Sequence, residues 1–167
     1  MTHDFDAVIL GAGAAGLMAA THAAERGRRV LLVEKGKRPG VKILMSGGTR
    51  CNITHDCDSR GVVAAFGPNG KFLHSALAAL GPRETVAFFN AEGVATKVEE
   101  TGKVFPVSDR AVDVLDALMR RLQRSGATLA TLEPVRGVRP LPDGGFAVAT
   151  DRREVTAERV LVTTGGK

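Results

Sequence analysis

The sequence predicts an α/β fold: a parallel sheet with helices packed on it, and an antiparallel β-meander. Three observations carry that prediction. Within the first 35 residues an apolar run, a glycine-rich turn, an Ala- and Leu-rich stretch and a second apolar run follow one another. An amphipathic segment without Gly or Pro covers residues 108–125. Short β-branched runs separated by turn residues fill 128–163.

The elements follow in order. Asp6–Leu10 is apolar and β-branched, as a buried strand requires. Leu17–Arg26 is rich in Ala and Leu, hence helical, and Gly27 stands where a helix-ending glycine belongs. Arg29–Val33 is a second strand, ending at Glu34. Two parallel strands need such a helical crossover, and its hand is almost always right. Residues 36–61 hold five glycines and Pro39 with no clean period, which predicts a long functional loop with at most a helical turn. Gly67-Pro68-Asn69-Gly70 predicts a turn. Lys71–Leu80 and Pro82–Glu92 predict helices, with Pro82 suited to a first turn. Val94–Val98 and Lys103–Val107 predict a hairpin about Thr101-Gly102.

Ser108–Ser125 is the clearest helix. Ser108 is its expected N-cap, Val112, Leu115, Leu118, Met119 and Leu122 its apolar stripe, and Gly126 its stop. Asp109, Asp113 and Asp116 toward its start and Arg120, Arg121 and Arg124 toward its end match the helix dipole. Thr128–Leu132 is a strand, and Val135–Pro140, Phe146–Thr150 and Arg153–Thr156 read as the meander. Val160–Thr163 is expected as a separate final strand.

Composition narrows the function. The chain has 167 residues, a net charge of +5 and only two cysteines, Cys51 and Cys57, which excludes a disulfide-rich secreted scaffold. No apolar run approaches the roughly 20 residues of a membrane helix, and the acidic start, Met1-Thr2-His3-Asp4-Phe5-Asp6, is unlike a signal peptide. A cytoplasmic protein is expected, with no membrane association. The densest basic cluster is Arg26, Arg28, Arg29, Lys35, Lys37, Arg38 and Lys42. No aromatic side chain is interleaved in it, so a solvated rim is the expected reading ahead of a nucleic-acid face. Histidines 3, 22, 55 and 74 do not form a metal set, and no metal is expected.

Two constellations carry chemistry. Gly11-x-Gly13-x-x-Gly16 directly follows a strand and opens a helix. Gly11 allows the tight turn, Gly13 lets a pyrophosphate approach the backbone, and Gly16 lets helix and strand pack closely. The helix N-terminus supplies free N–H groups for the phosphates. Glu34, 18 residues beyond Gly16, stands where an acid holds adenosine ribose hydroxyls and argues against a 2′-phosphate. This fingerprint alone does not separate FAD from NAD. The second constellation is Lys42-Ile43-Leu44-Met45-Ser46-Gly47-Gly48-Thr49-Arg50-Cys51-Asn52, with two glycines for backbone access and Ser46, Arg50 and Asn52 as donors. It is expected to lie over the same ligand.

The pieces Gly11-Ala-Gly-Ala-Ala-Gly16, Ser46-Gly-Gly-Thr-Arg-Cys-Asn52, Val104-Phe-Pro-Val-Ser-Asp109 and Thr164-Gly-Gly-Lys167 resemble the BaiN/RdsA-type flavoprotein family, also called YhiN-like or aminoacetone-oxidase-type. The resemblance runs from the first strand to the last residue. It implies a Rossmann-type, glutathione-reductase-like FAD-binding domain of a flavin-dependent oxidoreductase, with NAD(P)H as electron donor and a small molecule or an RNA nucleobase as substrate. It implies that Gly11, Gly13, Ala14, Ala15 and Gly16 hold the pyrophosphate and that Glu34 and Lys35 hold the ribose. Lys42, Ser46, Gly47, Gly48, Arg50, Cys51 and Asn52 would line the ribityl chain and flavin. Val135 would meet adenine through its backbone, and Thr164-Gly165 would close over the cofactor. Thr49 replaces the third glycine of the family's Gly-Gly-Gly-Arg-Cys-Asn, and a β-branched residue there is expected to avoid positive φ. No residue is assigned a catalytic role. Family members are roughly twice this length or more, as a second domain demands. The chain is therefore expected to be the N-terminal FAD-binding domain, residues 1–167, without the substrate domain and the C-terminal return segment.

Two alternatives belong to other classes. A pyridine-nucleotide-disulfide-reductase-like flavoprotein would use Cys51 and Cys57, but five residues separate them rather than that family's four. A non-catalytic basic nucleotide- or RNA-binding module would need no flavin. A short-chain NAD dehydrogenase is excluded, because the chain has no Tyr.

Overall fold

The computed structural model describes residues 2–166. Lys167, the last residue of the Thr164–Lys167 piece, lies outside the described residues. The chain divides into two compact units, residues 1–42 with 118–167, and residues 43–117.

The first unit is a six-stranded sheet. Strand β1 (Phe5–Leu10) leads through helix α1 (Ala14–Glu25) to β2 (Val30–Val33). Helix α1 begins three residues earlier than Leu17, because Gly13 already stands in the extended N-cap conformation. Gly27 has a φ of 76° and ends the helix as expected. Strand β6 (Thr128–Ala130) pairs with β2, and the strand order is β6-β2-β1-β9-β8-β7, with β7 (Val135–Pro140), β8 (Phe146–Thr150) and β9 (Glu154–Val162). The contacts β6–β2, β2–β1 and β1–β9 are parallel, while β9–β8 and β8–β7 are antiparallel.

The two expected strands Arg153–Thr156 and Val160–Thr163 are one. β9 pairs with β8 through its first half and with β1 through its second, sharing Ala157 between Phe146 and Phe5. Between those two stretches the Glu158 and Arg159 side chains pair with each other at the surface while the backbone stays in the ladder. The expected meander is thus the antiparallel half of one mixed six-stranded sheet.

One face of this sheet buries Val8, Leu10, Leu31, Val33, Val148, Val155 and Ala157. Side chains alternate along a strand, so Ile9 and Leu32 point to the other face, where α1 packs on β1 and β2. Leu17, Ala20 and Ala24 recur along α1 at helical spacing and are buried; the small alanines permit a close approach.

In the second unit β3 (Thr54–His55), β5 (Lys103–Pro106) and β4 (Thr96–Val98) form an antiparallel sheet in that order. The expected hairpin is present, with Gly102 at a φ of 77°. The expected loop 36–61 is more ordered than its glycines imply. It contains α2 (Val41–Met45) and β3, and runs into α3 (Ser59–Ala65), which Asp58 caps by accepting from Gly61 N at 2.8 Å. The 67–70 turn is the start of a 3-10 helix, Gly67–Leu73, which passes into α4 (His74–Ala79). Helix α5 (Pro82–Ala91) follows, with Pro82 at its start.

Helix α6 runs over Ala111–Ser125, its residues to Ala117 belonging to the second unit and those from Leu118 to the first. Ser108 is not its N-cap. Asp109 adopts a φ of +54°, which stops the helix from extending back to residue 108. Its carboxylate pairs with Lys97 instead of serving the helix dipole. The buried stripe is Ala111, Val114, Leu115, Leu118 and Leu122; Val112 and Met119 lie at its edges.

Candidate functional site

In the first unit the sequence-expected residues gather at the carboxyl ends of β1 and β2. Gly11 N donates to Val33 O at 2.7 Å, and a φ of +100° turns the chain away from the strand. A Cβ on Gly11 would lie 3.0 Å from Thr163 O and from Thr164 Cα. A Cβ on Gly16 would lie 1.9 Å from Gly11 O, so this glycine sets the distance between α1 and the turn. Thr163 Oγ1 locks the turn from behind, donating to Leu10 O and Gly11 O at 2.9 Å each.

Gly13 differs from both. A Cβ there would meet nothing within 4 Å, so open space fronts its backbone. It provides no side-chain cap for α1, and no acidic residue stands in the first helical turn. The first amides of a helix lack intrahelical acceptors, and the dipole there favours an anion. Ala14 and Ala15 are exposed at this end. The arrangement fits a pyrophosphate: donors, room and no acidic residue in the helix's first turn.

Glu34 directly follows β2, at its carboxyl end. Its Oε2 accepts from Ala12 N at 2.9 Å and its Oε1 from Gly36 N at 2.8 Å. Each oxygen retains a lone pair for a hydroxyl donor. Lys35 beside it is exposed. Lys42 Nζ donates to Gly166 O at 2.6 Å and would lie 3.2 Å from a Cβ on Gly165, which brings Lys42 and the Thr164-Gly165 turn together.

One residue of this region carries no local signal in the sequence. Glu133 is 3% exposed, and its carboxylate accepts two bonds from Arg153, at 2.8 and 3.2 Å, and one from Thr150 Oγ1 at 3.0 Å. The Arg153 guanidinium, and then the Thr150 hydroxyl, hold that carboxyl below the usual glutamate range against the opposing effect of burial. Glu133 N donates to Glu34 O at 3.0 Å, and Asp151 N to Pro134 O at 3.3 Å. Glu133 thereby fixes the start of β7, where Val135 opens the meander.

The Ser46–Asn52 loop belongs to the second unit. Gly47, Gly48, Thr49 and Cys51 have φ values of 57°, 64°, 70° and 63°. The expectation that Thr49 would avoid positive φ is therefore wrong. Thr49 O is held by Ala111 N at 2.9 Å and Cys51 N by Ser46 O at 3.0 Å, so surrounding bonds impose the conformation on the β-branched residue. Gly47, Gly48 and Asn52 are exposed. Arg50 is engaged inside its own unit: its guanidinium bonds Glu99, lies 3.5 Å from Asp109 Oδ1 and stacks 4.1 Å above the Phe105 ring. Lys97, foremost, and Arg50 hold the Asp109 carboxyl below its ordinary range. Cys51 is buried, and burial pushes its thiol up while a bond with Ser46 opposes the shift. Cys51 and Cys57 are both free thiols.

No helix among the described residues is long and apolar enough to cross a membrane. Among those residues no group of three or more His, Cys, Asp and Glu side chains stands together as a metal site would.

Comparison with known proteins gives a consistent picture. The family model described as the HI0933-like protein Rossmann domain matches residues 5–167. A curated relative from Escherichia coli, named ribosomal RNA dihydrouridine synthase, is 36% identical over 162 residues, covering 97% of this chain and 40% of its own length. A 3-ketosteroid-Δ4-(5α)-dehydrogenase from Rhodococcus jostii superposes with a TM-score of 0.71 at 17% identity, over 99% of this chain and 47% of that one. OTEMO, solved in complex with FAD and NADP, superposes with a TM-score of 0.58 at 17% identity, over 99% of this chain and 26% of that one. The chain thus spans 40% of the length of the curated relatives it matches.

Proposed function

The chain belongs to the HI0933-like Rossmann-domain family, and on that premise we propose that it is the FAD-binding portion of a flavin-dependent oxidoreductase acting on a nucleobase of ribosomal RNA. The observation that carries the cofactor reading is the open space before Gly13 at an uncapped helix start, with the Glu34 carboxylate oriented nearby by Ala12 N. The name of the curated relatives supports the RNA nucleobase as substrate class.

A bound FAD would supply two-electron, hydride-transfer chemistry. This chain's own residues bind and orient. The first amides of α1 receive the pyrophosphate, and Gly13 admits it. Glu34 accepts the ribose hydroxyls while its other bonds keep the carboxylate from rotating away. Val135 offers backbone groups to adenine, its position fixed through Glu133. Lys42 and the Thr164-Gly165 turn close over the cofactor. The exposed Gly47, Gly48 and Asn52, with Ser46, are proposed as further cofactor contacts, and Arg50 and Cys51 as residues that shape their loop from within.

The test is the visible absorption spectrum of the purified protein, before and after heat release of any ligand. The chain contains neither Trp nor Tyr, so a flavin would dominate its spectrum. A yellow protein that releases FAD is expected. A folded, colourless protein that takes up no added FAD would overturn the proposal.

A further inference from the structure

We propose that the helical arm over residues 59–80 docks unpaired RNA nucleotides, with Phe66 and Phe72 as stacking faces and Arg60 and Lys71 meeting phosphates. The inference rests on the RNA-substrate reading above and deepens it by naming a surface.

The arm is unusual in what it leaves uncovered. Neither α3 nor α4 has a buried residue, and the 3-10 helix between them buries only Gly70. Its most exposed large apolar side chains are aromatic: Phe66 is 61% exposed and Phe72 is 87% exposed. Leu73 and Leu77 are half-buried, whereas the two rings stand open to solvent.

The charge is one-sided. Residues 59–80 contain Arg60 and Lys71 and no Asp or Glu, while Asp58 and Glu84 flank them. The flanking carboxylate of Asp58 is turned to Gly61 N as a helix cap. Exposed aromatic rings on one segment with cations and without acids form the pattern that binds single-stranded nucleic acid: each ring stacks on any base and the cations track the backbone. A-form duplexes hide their base faces, so loops and unpaired stretches are the fitting targets.

The arm is also rigid where it matters. A Cβ on Gly70 would lie 1.9 Å from Val63 O, so α3 and the 3-10 helix are in closest contact there. Phe66 caps the end of α3 and Phe72 follows two residues after Gly70. Both rings therefore leave a braced backbone, which lowers the ordering cost of binding.

The experiment measures fluorescence anisotropy of a short labelled oligouridylate with the intact chain. F66A/F72A is expected to bind about tenfold more weakly or worse, because stacking by one ring is worth ~1–3 kcal/mol per base. F66L/F72L should be equally impaired, since leucine keeps apolar area but has no π-face. Because both side chains are exposed, far-ultraviolet circular dichroism should be unchanged. R60Q/K71Q should flatten the slope of log affinity against log salt by about 1.4 for two lost phosphate contacts. Unchanged affinity in F66A/F72A, with wild-type binding intact, would overturn the arm and leave the RNA reading standing. Full binding by the leucine variant would also overturn it, in favour of an apolar protein contact. So would loss of self-association in F66A/F72A with RNA affinity unchanged, which would make the arm an interface between copies. A wild-type chain that binds no RNA would overturn both.

Discussion

Gly13 and Gly16 lie three residues apart in one motif and have opposite surroundings. Gly16 has no room for a methyl group, and Gly13 has nothing near it. Substitution should therefore separate folding from binding. G16A is expected to lose about 1–3 kcal/mol of stability, through overpacking against Gly11 O. G13A is expected to keep its stability within about 0.5 kcal/mol while binding FAD at least tenfold more weakly. Urea unfolding and FAD titration of both variants check this pair. At this scale the sequence was legible where the geometry is local. The three glycines and Glu34 lie in one short stretch, with a spacing that itself encodes the turn. Glu133 was invisible, because its partner Arg153 is 20 residues away and nothing beside it marks a buried carboxylate. Thr49 was misjudged because a propensity argument does not see the bond from Ala111 N that overrides it.

Among the elements, helix α6 shows how far a cap can be read from sequence. Ser108 has the right chemistry, yet the helix starts at Ala111. The positive φ of Asp109 and its bond to Lys97 intervene, and neither is written in the 108–125 segment. S108A is expected to change stability by less than about 0.5 kcal/mol, where a true cap would cost about 1 kcal/mol. L118A, which truncates a buried side chain of the same helix, is expected to cost about 2–5 kcal/mol. Thermal unfolding of the two variants decides between a capping and a packing origin for the helix. The β-strands show a similar limit. The sequence reads Arg153–Thr156 and Val160–Thr163 as two strands, with the charged pair Glu158-Arg159 between them. The ladder to β1 carries the backbone through it.

Across the whole molecule, carboxylates are held below their ordinary range in both units. The backbone N–H of Thr156 does this for Asp4, Arg29 for Asp6, Arg121 for Glu25, Lys97 for Asp109, Arg153 for Glu133 and Arg136 for Asp151. A carboxylate whose pKa is lower in the folded state stabilises above its unfolded pKa, and that contribution is lost as pH falls through the folded value. Stability against urea should be flat from about pH 7 to 5 and fall progressively below about pH 5, where unfolded carboxylates begin to take up protons. E133Q should be less stable at pH 7 and show a shallower acid decline; an unchanged acid profile would remove Glu133 from this account. The position of β1 has a consequence in time. It lies between β2 and β9, and Gly11 backs onto Thr163 and Thr164. Between Val33 and Ala157 the ribosome adds about 120 residues, which at 5–20 residues per second takes roughly 6–25 s. Throughout that interval the apolar Val8-Ile9-Leu10 strand has one unpaired edge, the kind that recruits foreign strands. The nascent chain is therefore most vulnerable to aggregation during its own synthesis, and the nucleotide turn, translated early, is among the last parts of the sheet to acquire its packing.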